Sequence, residues 1–401
     1  MSYTENYQKW LDFAELPAYL RDELVAMDEK TKEDAFYTNL EFGTAGMRGL
    51  IGAGTNRINI YVVRQATEGL AQLIDSKGEE AKKRGVAIAY DSRHFSPEFA
   101  FESAQVLAAH GIKSYVFESL RPTPELSFAV RHLHTFAGIM VTASHNPAPF
   151  NGYKVYGEDG GQMPPADADA LTDYIRAIEN PFTVQLADLE ESKASGLIEV
   201  IGENVDAEYL KEVKGVNINQ DLINEYGRDM KIVYTPLHGT GEMLARRALA
   251  QAGFEAVQVV EAQAVPDADF STVKSPNPES QAAFALAEEL GRKVDADVLV
   301  ATDPDADRLG VEIRQPDGSY LNLSGNQIGA IIAKYILEAH KTAGTLPENA
   351  ALCKSIVSTE LVTKIAESYG ATMFNVLTGF KFIGEKIHEF ETQHNHTYML
   401  G

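Results

Sequence analysis

The apolar positions of the chain keep two rhythms. Over residues 7–39 they have helical spacing, with Trp10, Leu11 and Phe13, then Leu20, Leu24 and Met27, forming one face among Glu, Asp and Lys. Pro17 predicts a break into two helices, and Trp10 reads as a packing anchor. Further on, short unbroken apolar runs alternate with helical stretches. The spacing predicts a helix over 59–75, a strand over 85–90, a helix over 96–110 and a strand over 113–117. After the breaker Arg121-Pro122-Thr123-Pro124 it predicts another helix and a strand over 136–141. Ser96 is the expected N-cap of its helix, with Pro97 at the first helical position. Strand, helix, strand in this order is the grammar of parallel βαβ units.

A strand over 151–156 and a helix from Pro164-Pro165 to about residue 178 complete a first unit, and the polar, acidic stretch 180–206 reads as a linker. A second unit begins near Tyr209, with strands over 230–234, 254–260 and 298–301 and helices over 242–252 and 280–290. A third opens after the strand 309–313. There Ser324-Gly325-Asn326-Gln327 has capping-box form ahead of a helix, strands about 350–357 and 371–376 flank a helix over 359–369, and a last strand covers 397–401. The fold class is α/β: three successive αβ domains with mixed, mainly parallel sheets, bounded at 1–205, 206–308 and 309–401. What repeats is architecture, without visible sequence identity between units.

Composition adds exclusions. With 44% hydrophobic and 23% charged residues the chain is globular, and no apolar run reaches bilayer length. The start Met1-Ser2-Tyr3-Thr4-Glu5 has neither the basic nor the apolar segment of a secretory signal, so a cytoplasmic protein is expected. Cys353 is the single cysteine, which rules out an intramolecular disulfide, and its apolar surroundings place it in a strand core. A formal net charge of −23 disfavours nucleic acid and anionic membrane as partners. An acidic chain with an anionic substrate must gather arginines, lysines or a metal ion locally. Nothing in the sequence sets the oligomeric state.

Candidate chemistry gathers at strand ends. Ser144, in Thr142-Ala143-Ser144-His145-Asn146-Pro147, is expected on a bent loop just past the strand 136–141, where α/β sheets present reactive groups. On residue types alone an ordinary serine-bearing turn is an equal reading, because no third triad member is identifiable by spacing. Gly43, Gly46 and Gly49 surround Arg48 in a pattern that suits an anion but fits neither the dinucleotide fingerprint nor a Walker loop. Lys154 reads equally as a solvated strand residue. His238, beside Gly239 and Gly241, reads as solvated or as a turn former, with phosphate binding as the alternative. Asp303, Asp305 and Asp307 alternate on one loop and would repel one another without a cation among them. Their oxygen donors favour a hard ion such as Mg²⁺, against the competing reading of a solvated charge run. An EF-hand is excluded, since Arg308 stands at the sixth position and Arg314 at the twelfth. Lys381, between Phe380 and Phe382, reads as a snorkelling surface residue.

The hexapeptide 142–147 resembles the active-serine loop of the α-D-phosphohexomutases, the phosphoglucomutase and phosphomannomutase superfamily. The stretches 43–49, 303–308 and 377–384 resemble three further motifs in that family's order. The resemblance implies that Ser144 carries a transferable phosphoryl group and that Arg48 is a phosphate ligand. It implies Mg²⁺ held by Ser144, Asp303, Asp305 and Asp307, with Arg308 as a supporting phosphate contact. Thr378, Gly379 and Lys381 become substrate-binding candidates, and His145 or Lys154 the general base, a choice left open. The implied activity interconverts glucose 1-phosphate and glucose 6-phosphate through a phosphoserine and a sugar bisphosphate, with glucose 1,6-bisphosphate as activator. Mannose or pentose phosphates, a phosphatase, or a non-catalytic phosphosugar-binding module are the alternatives. The family normally has four domains, so a chain ending at Gly401 implies a C-terminally truncated form with weak or no turnover.

Overall fold

The computed structural model describes residues 2–43, 46–163 and 165–401. Thr44 and Ala45 of the glycine–arginine stretch, and Pro164 ahead of the expected helix, lie outside them. The chain divides into two compact units, Met1–Gly202 and Glu203–Gly401.

The first unit holds β1 (Met47–Leu50), β2 (Val86–Tyr90), β3 (Ser114–Phe117), β4 (Ala137–Val141), β5 (Phe150–Tyr156) and β6 (Ile198–Ile201), ordered β1-β5-β4-β2-β3-β6. Strands β4, β2, β3 and β6 run parallel, and β5 and β1 close one side antiparallel. Every residue of β2 and β4 is buried, which is why neither shows alternation: a strand covered on both faces is apolar throughout. Tyr90 pairs with Val141, so the residues after β2 and those after β4 leave the sheet side by side. The helix Ile60–Lys77 begins where Asn59 accepts the N–H groups of Tyr61 and Val62 at 3.1 Å each. Trp10 packs edge-on against Phe36, Tyr61 and Phe182, as the anchor it was expected to be.

Four expectations for this unit need correction. Residues 7–39 form three helices, Tyr3–Asp12, Ala18–Ala26 and Glu29–Phe36, because Asp28 accepts the Thr31 N–H at 2.8 Å and caps a third start. Ser96 is the first helical residue rather than the cap; Phe95 takes the cap position at φ 65°, and the Ser96 hydroxyl donates to Asp91 instead. The stretch 180–206 is no linker, since it contains the helix Leu189–Ser195 and β6, which extends the sheet beside β3. Lys154 is buried within β5, not solvated.

The second unit holds β7 (Ile232–Thr235), β8 (Val257–Val259), β9 (Val298–Thr302), β10 (Leu309–Arg314) and β11 (Tyr320–Leu323), in the order β11-β10-β9-β7-β8. It also holds β12 (Ala350–Ser355), β13 (Thr372–Val376) and β14 (Thr397–Leu400), a parallel sheet ordered β13-β12-β14. The expected boundary between residues 308 and 309 cuts through the five-stranded sheet. Leu309 pairs with Thr302, so the Asp303–Asp307 stretch is the turn of an antiparallel hairpin and the chain stays in that sheet to Leu323. Ser324 and Gln327 form the expected capping box on Gly325–Ala343. Residues 380–384, expected in a loop, begin the helix Phe380–Gln393, and Lys381 is buried there instead of snorkelling. Cys353 is buried in β12, where burial pushes its thiol up to about 11. Among the described residues no helix is long and apolar enough to cross a membrane.

Candidate active site

In the first unit β4 delivers Thr142, Ala143 and Ser144 to the carboxyl end of the sheet. Ser144 is buried and takes φ 53°, a left-handed conformation that costs a side-chain-bearing residue about 1–2 kcal/mol and persists only where neighbours impose it. Its N–H donates to Thr142 Oγ1 at 2.8 Å, and its Oγ lies 3.1 Å from Nδ1 of His145. Arg48, exposed on β1, donates through Nη1 to Asn146 Oδ1 at 2.9 Å, so the structure brings Arg48, Ser144, His145 and Asn146 to one loop. Lys154 lies on β5, opposite Met140 of β4. Gly46, at φ 93°, permits this arrangement, since a Cβ there would stand 2.4 Å from the Tyr153 carbonyl and 2.9 Å from Lys154 Cα.

Two residues without an expected role hold the serine loop. Arg93 is buried and donates to four carbonyls, of Ser144, Asn146, Pro147 and Phe150, at 2.6, 2.6, 3.0 and 2.9 Å. Its Nε lies 3.2 Å from Oδ2 of Asp91. Burial raises the Asp91 carboxyl above its ordinary range, while the Arg93 guanidinium and the Thr142 hydroxyl pull it down.

In the second unit the turn between β9 and β10 brings Asp303, Asp305 and Asp307 together, with carboxylate oxygens all within 4.8 Å of one another. Asp303 and Asp305 are buried and Asp307 is exposed. Asp303 Oδ1 accepts the Arg308 N–H at 3.0 Å, and the exposed Arg308 side chain reaches Glu279 at 3.1 Å. Oxygen-only donors of this charge and spacing fit a hard divalent cation such as Mg²⁺. The preceding loop supports the turn: Thr240 N–H donates to the Pro304 carbonyl at 2.8 Å, and Gly239 lies so close that a Cβ would stand 2.4 Å from Pro304 Cα. His238, read as solvated or as a turn former with phosphate binding as the alternative, is buried in a turn at φ 64°; its Nδ1 lies 2.9 Å from the Val265 carbonyl and its Nε2 2.7 Å from Thr272 Oγ1. Both ring nitrogens are thus engaged by the protein. Thr378 and Gly379 are exposed between β13 and the helix Phe380–Gln393, and Lys381 Nζ lies 4.9 Å from the Phe382 ring centre.

Three family models match successive parts of the chain: Phosphoglucomutase/phosphomannomutase, alpha/beta/alpha domain I over residues 39–182, domain II over 207–316 and domain III over 324–400. A phosphoglucomutase of Staphylococcus epidermidis is 39% identical over 387 residues, covering 96% of this chain and 68% of that protein. The chain belongs to the phosphoglucomutase/phosphomannomutase family. It is therefore an α-D-phosphohexomutase, an enzyme of the isomerase class that transfers a phosphoryl group. A Staphylococcus aureus phosphoglucomutase is 38% identical over 365 residues, 91% of this chain and 63% of that one, so the chain spans about two thirds of the length of these relatives. Solved structures agree in fold. A Thermus thermophilus protein assigned as a phosphomannomutase superimposes with TM-score 0.71 at 24% identity, over 90% of this chain and 74% of that one. The Paramecium phosphoglucomutase parafusin does so at 0.66 and 18%, over 88% and 65%.

Proposed function

We propose that this phosphohexomutase interconverts glucose 1-phosphate and glucose 6-phosphate with Ser144 as the phosphoryl carrier. The observation that carries the reading is the strained, buried Ser144 at the end of β4, with His145 and Arg48 at the same loop. Phosphorylated Ser144 gives its phosphoryl group to the 6-hydroxyl of glucose 1-phosphate. The O–P bond to Ser144 breaks, the new O–P bond forms on the sugar, and the hydroxyl proton leaves to His145 or Lys154. The resulting glucose 1,6-bisphosphate turns over and returns its other phosphoryl group to Ser144, leaving glucose 6-phosphate. Arg48 binds phosphate oxygens and offsets the charge that develops during transfer. Asp303, Asp305 and Asp307 are the residues that would hold Mg²⁺, which when bound would neutralise phosphoryl charge. Arg308 adds a phosphate contact, and Thr378, Gly379 and Lys381 bind the sugar. A buried lone cysteine suits the reducing cytoplasm assigned to this reading. The phosphoglucomutase names of the relatives support glucose over mannose or pentose as the sugar.

The test is intact mass before and after incubation with glucose 1,6-bisphosphate and Mg²⁺. A gain of one phosphate, absent in Ser144→Ala, is expected. No gain on the parent chain would favour a phosphosugar-binding module, and continuous release of inorganic phosphate would favour hydrolysis.

A further inference from the structure

We propose that Asp91 and Arg93 are positioning residues for Ser144, a buried ion pair that locks the serine loop in its left-handed turn and thereby sets the rate of phosphoryl transfer. Its kinetic consequence rests on the Ser144 reading above; its structural consequence does not. The side chains of both residues are fully inaccessible, so neither can touch a substrate, and any effect on transfer must pass through the loop.

The wiring follows from the sheet. Because β2 and β4 are parallel neighbours in register, the residues after Tyr90 emerge beside those after Val141, and the Asp91 N–H donates to the Val141 carbonyl at 3.1 Å. Beyond that point the loop 144–150 turns carbonyls toward the buried guanidinium; backbone N–H groups serve Pro147, from Phe150 at 3.0 Å, and Pro149, from Ile51 at 2.8 Å, and buried carbonyls need partners. Arg93 supplies four, through the fixed fork of one guanidinium. Asp91 holds the fork from behind through Nε, accepts the Arg93 N–H at 3.0 Å and accepts the Ser96 hydroxyl at 2.8 Å, which ties the assembly to the start of the helix Ser96–Ala109. Thr142, the first residue after β4, accepts the Ser144 N–H through its Oγ1 at 2.8 Å, and its side chain also pulls the Asp91 carboxyl down. Both backbone groups of Ser144 are therefore held, the N–H by Thr142 and the carbonyl by Arg93, which Asp91 pairs with. A lysine would keep the charge and lose the fork, since one ammonium cannot serve four carbonyls and a carboxylate in these directions.

The experiment compares the full chain with Arg93→Lys, and with isosteric Asp91→Asn should the first variant not fold. In hydrogen exchange read by mass, the peptide covering 142–151 is expected to exchange at least ~10-fold faster in the variant, with the N-terminal helices unchanged. In single-turnover transfer from glucose 1,6-bisphosphate, the maximal rate is expected to fall ~100-fold while the half-saturating concentration stays within ~3-fold. Arg57→Lys is the control: its ion pair with Asp34 lies among bonds to Asp34 and Asn56 and none to the serine loop, so it should lower the melting temperature and leave the rate alone. Unchanged exchange at 142–151 overturns the proposal. So does a rate loss that Arg57→Lys reproduces at equal loss of stability. If the parent chain takes up no phosphate, the Ser144 reading fails, and the exchange measurement still decides whether the pair locks the loop.

Discussion

The Ser144 loop and the Asp303–Asp307 turn each leave the carboxyl end of a parallel strand, β4 in one unit and β9 in the other, yet they are stabilised in opposite ways. In the serine loop the buried charges are matched from within, Arg93 by Asp91, and the loop's carbonyls are satisfied by the same guanidinium. The aspartate turn instead crowds three carboxylates, one oxygen of each within 4.8 Å of the others, with the Arg308 N–H donating to Asp303 and the Thr240 N–H to the Pro304 carbonyl. One loop stores geometry and the other stores charge. Geometry is lost by removing a partner, whereas stored charge is relieved by it, so equivalent mutations should move stability in opposite directions.

The largest expected effect tests that sign. Asp305→Asn removes one carboxylate from the cluster and should reduce Mg²⁺-dependent phosphoryl transfer to Ser144 by about 10²–10³-fold, as excess chelator should abolish it in the parent chain. In chelator the same variant should be more stable than the parent by about 1 kcal/mol, because like charges no longer crowd, which is a rise of roughly 2–4 °C in melting temperature. Added Mg²⁺ should stabilise the parent more than the variant. A lower melting temperature for the variant in chelator, or an equal Mg²⁺ shift in both, would remove the idea that crowding of like charges in this turn costs stability.

A smaller effect separates backbone support from charge. A Cβ on Gly239 would sit 2.4 Å from Pro304 Cα and 2.6 Å from its carbonyl oxygen. Gly239→Ala should therefore destabilise the chain by about 1–3 kcal/mol and weaken Mg²⁺ binding with all three aspartates present. Gly329, inside the helix Gly325–Ala343, faces open space, and its alanine variant should gain about 0.5–1 kcal/mol. Equal melting temperatures for the two variants would mean that Pro304 yields and the turn does not depend on close packing.

How legible these regions were in the sequence depends on whether their partners are side chains or backbone. The end of β4 was readable because 136–141 is an unbroken apolar run, and the Ser324 capping box because both of its members are side chains at fixed spacing. Arg93 was not, since its partners are four carbonyls more than fifty positions away, which leave no mark on residue type. The available signal was Asp91-Ser92-Arg93 at the end of a strand that a βαβ grammar places next to the serine strand. The stretch 180–206 looked like a linker because β6 is an edge strand with Glu199 and Val200 exposed, so its apolar pattern is half erased. The boundary at 308 failed for the opposite reason: a run of acids and a proline reads as a break, but here it is the turn of a hairpin. Lys381 was misjudged because a lysine between two aromatics reads as a surface residue, whereas it lies in the first turn of the helix Phe380–Gln393 and is buried there.

The smallest expected effect concerns a charge cluster in neither loop. His110, at the C-terminal cap of Ser96–Ala109, has Nε2 3.0 Å from Glu68 and Nδ1 2.6 Å from Asp75, and Lys82 reaches Asp75 at 3.2 Å. The hydrogen bond with Glu68, then that with Asp75, raises the imidazole to about 9 against the opposing effect of burial. A folded-state value above the unfolded one means that the folded chain binds the proton more tightly. The stabilisation is complete below about pH 6.5 and fades as pH rises through about 9. Discounted for partial exposure it is about 1 kcal/mol, so the stability gap between the parent and His110→Gln should close by that amount from pH 6.5 to above 9. Phosphoryl transfer to Ser144 at pH 7 should be the same in both. If the gap is flat with pH, the imidazole is not held charged by its two carboxylates. If transfer falls along with stability, matched charge anywhere in this unit would serve the serine loop, and the contrast between a pair aimed at that loop and one that is not would lose its meaning.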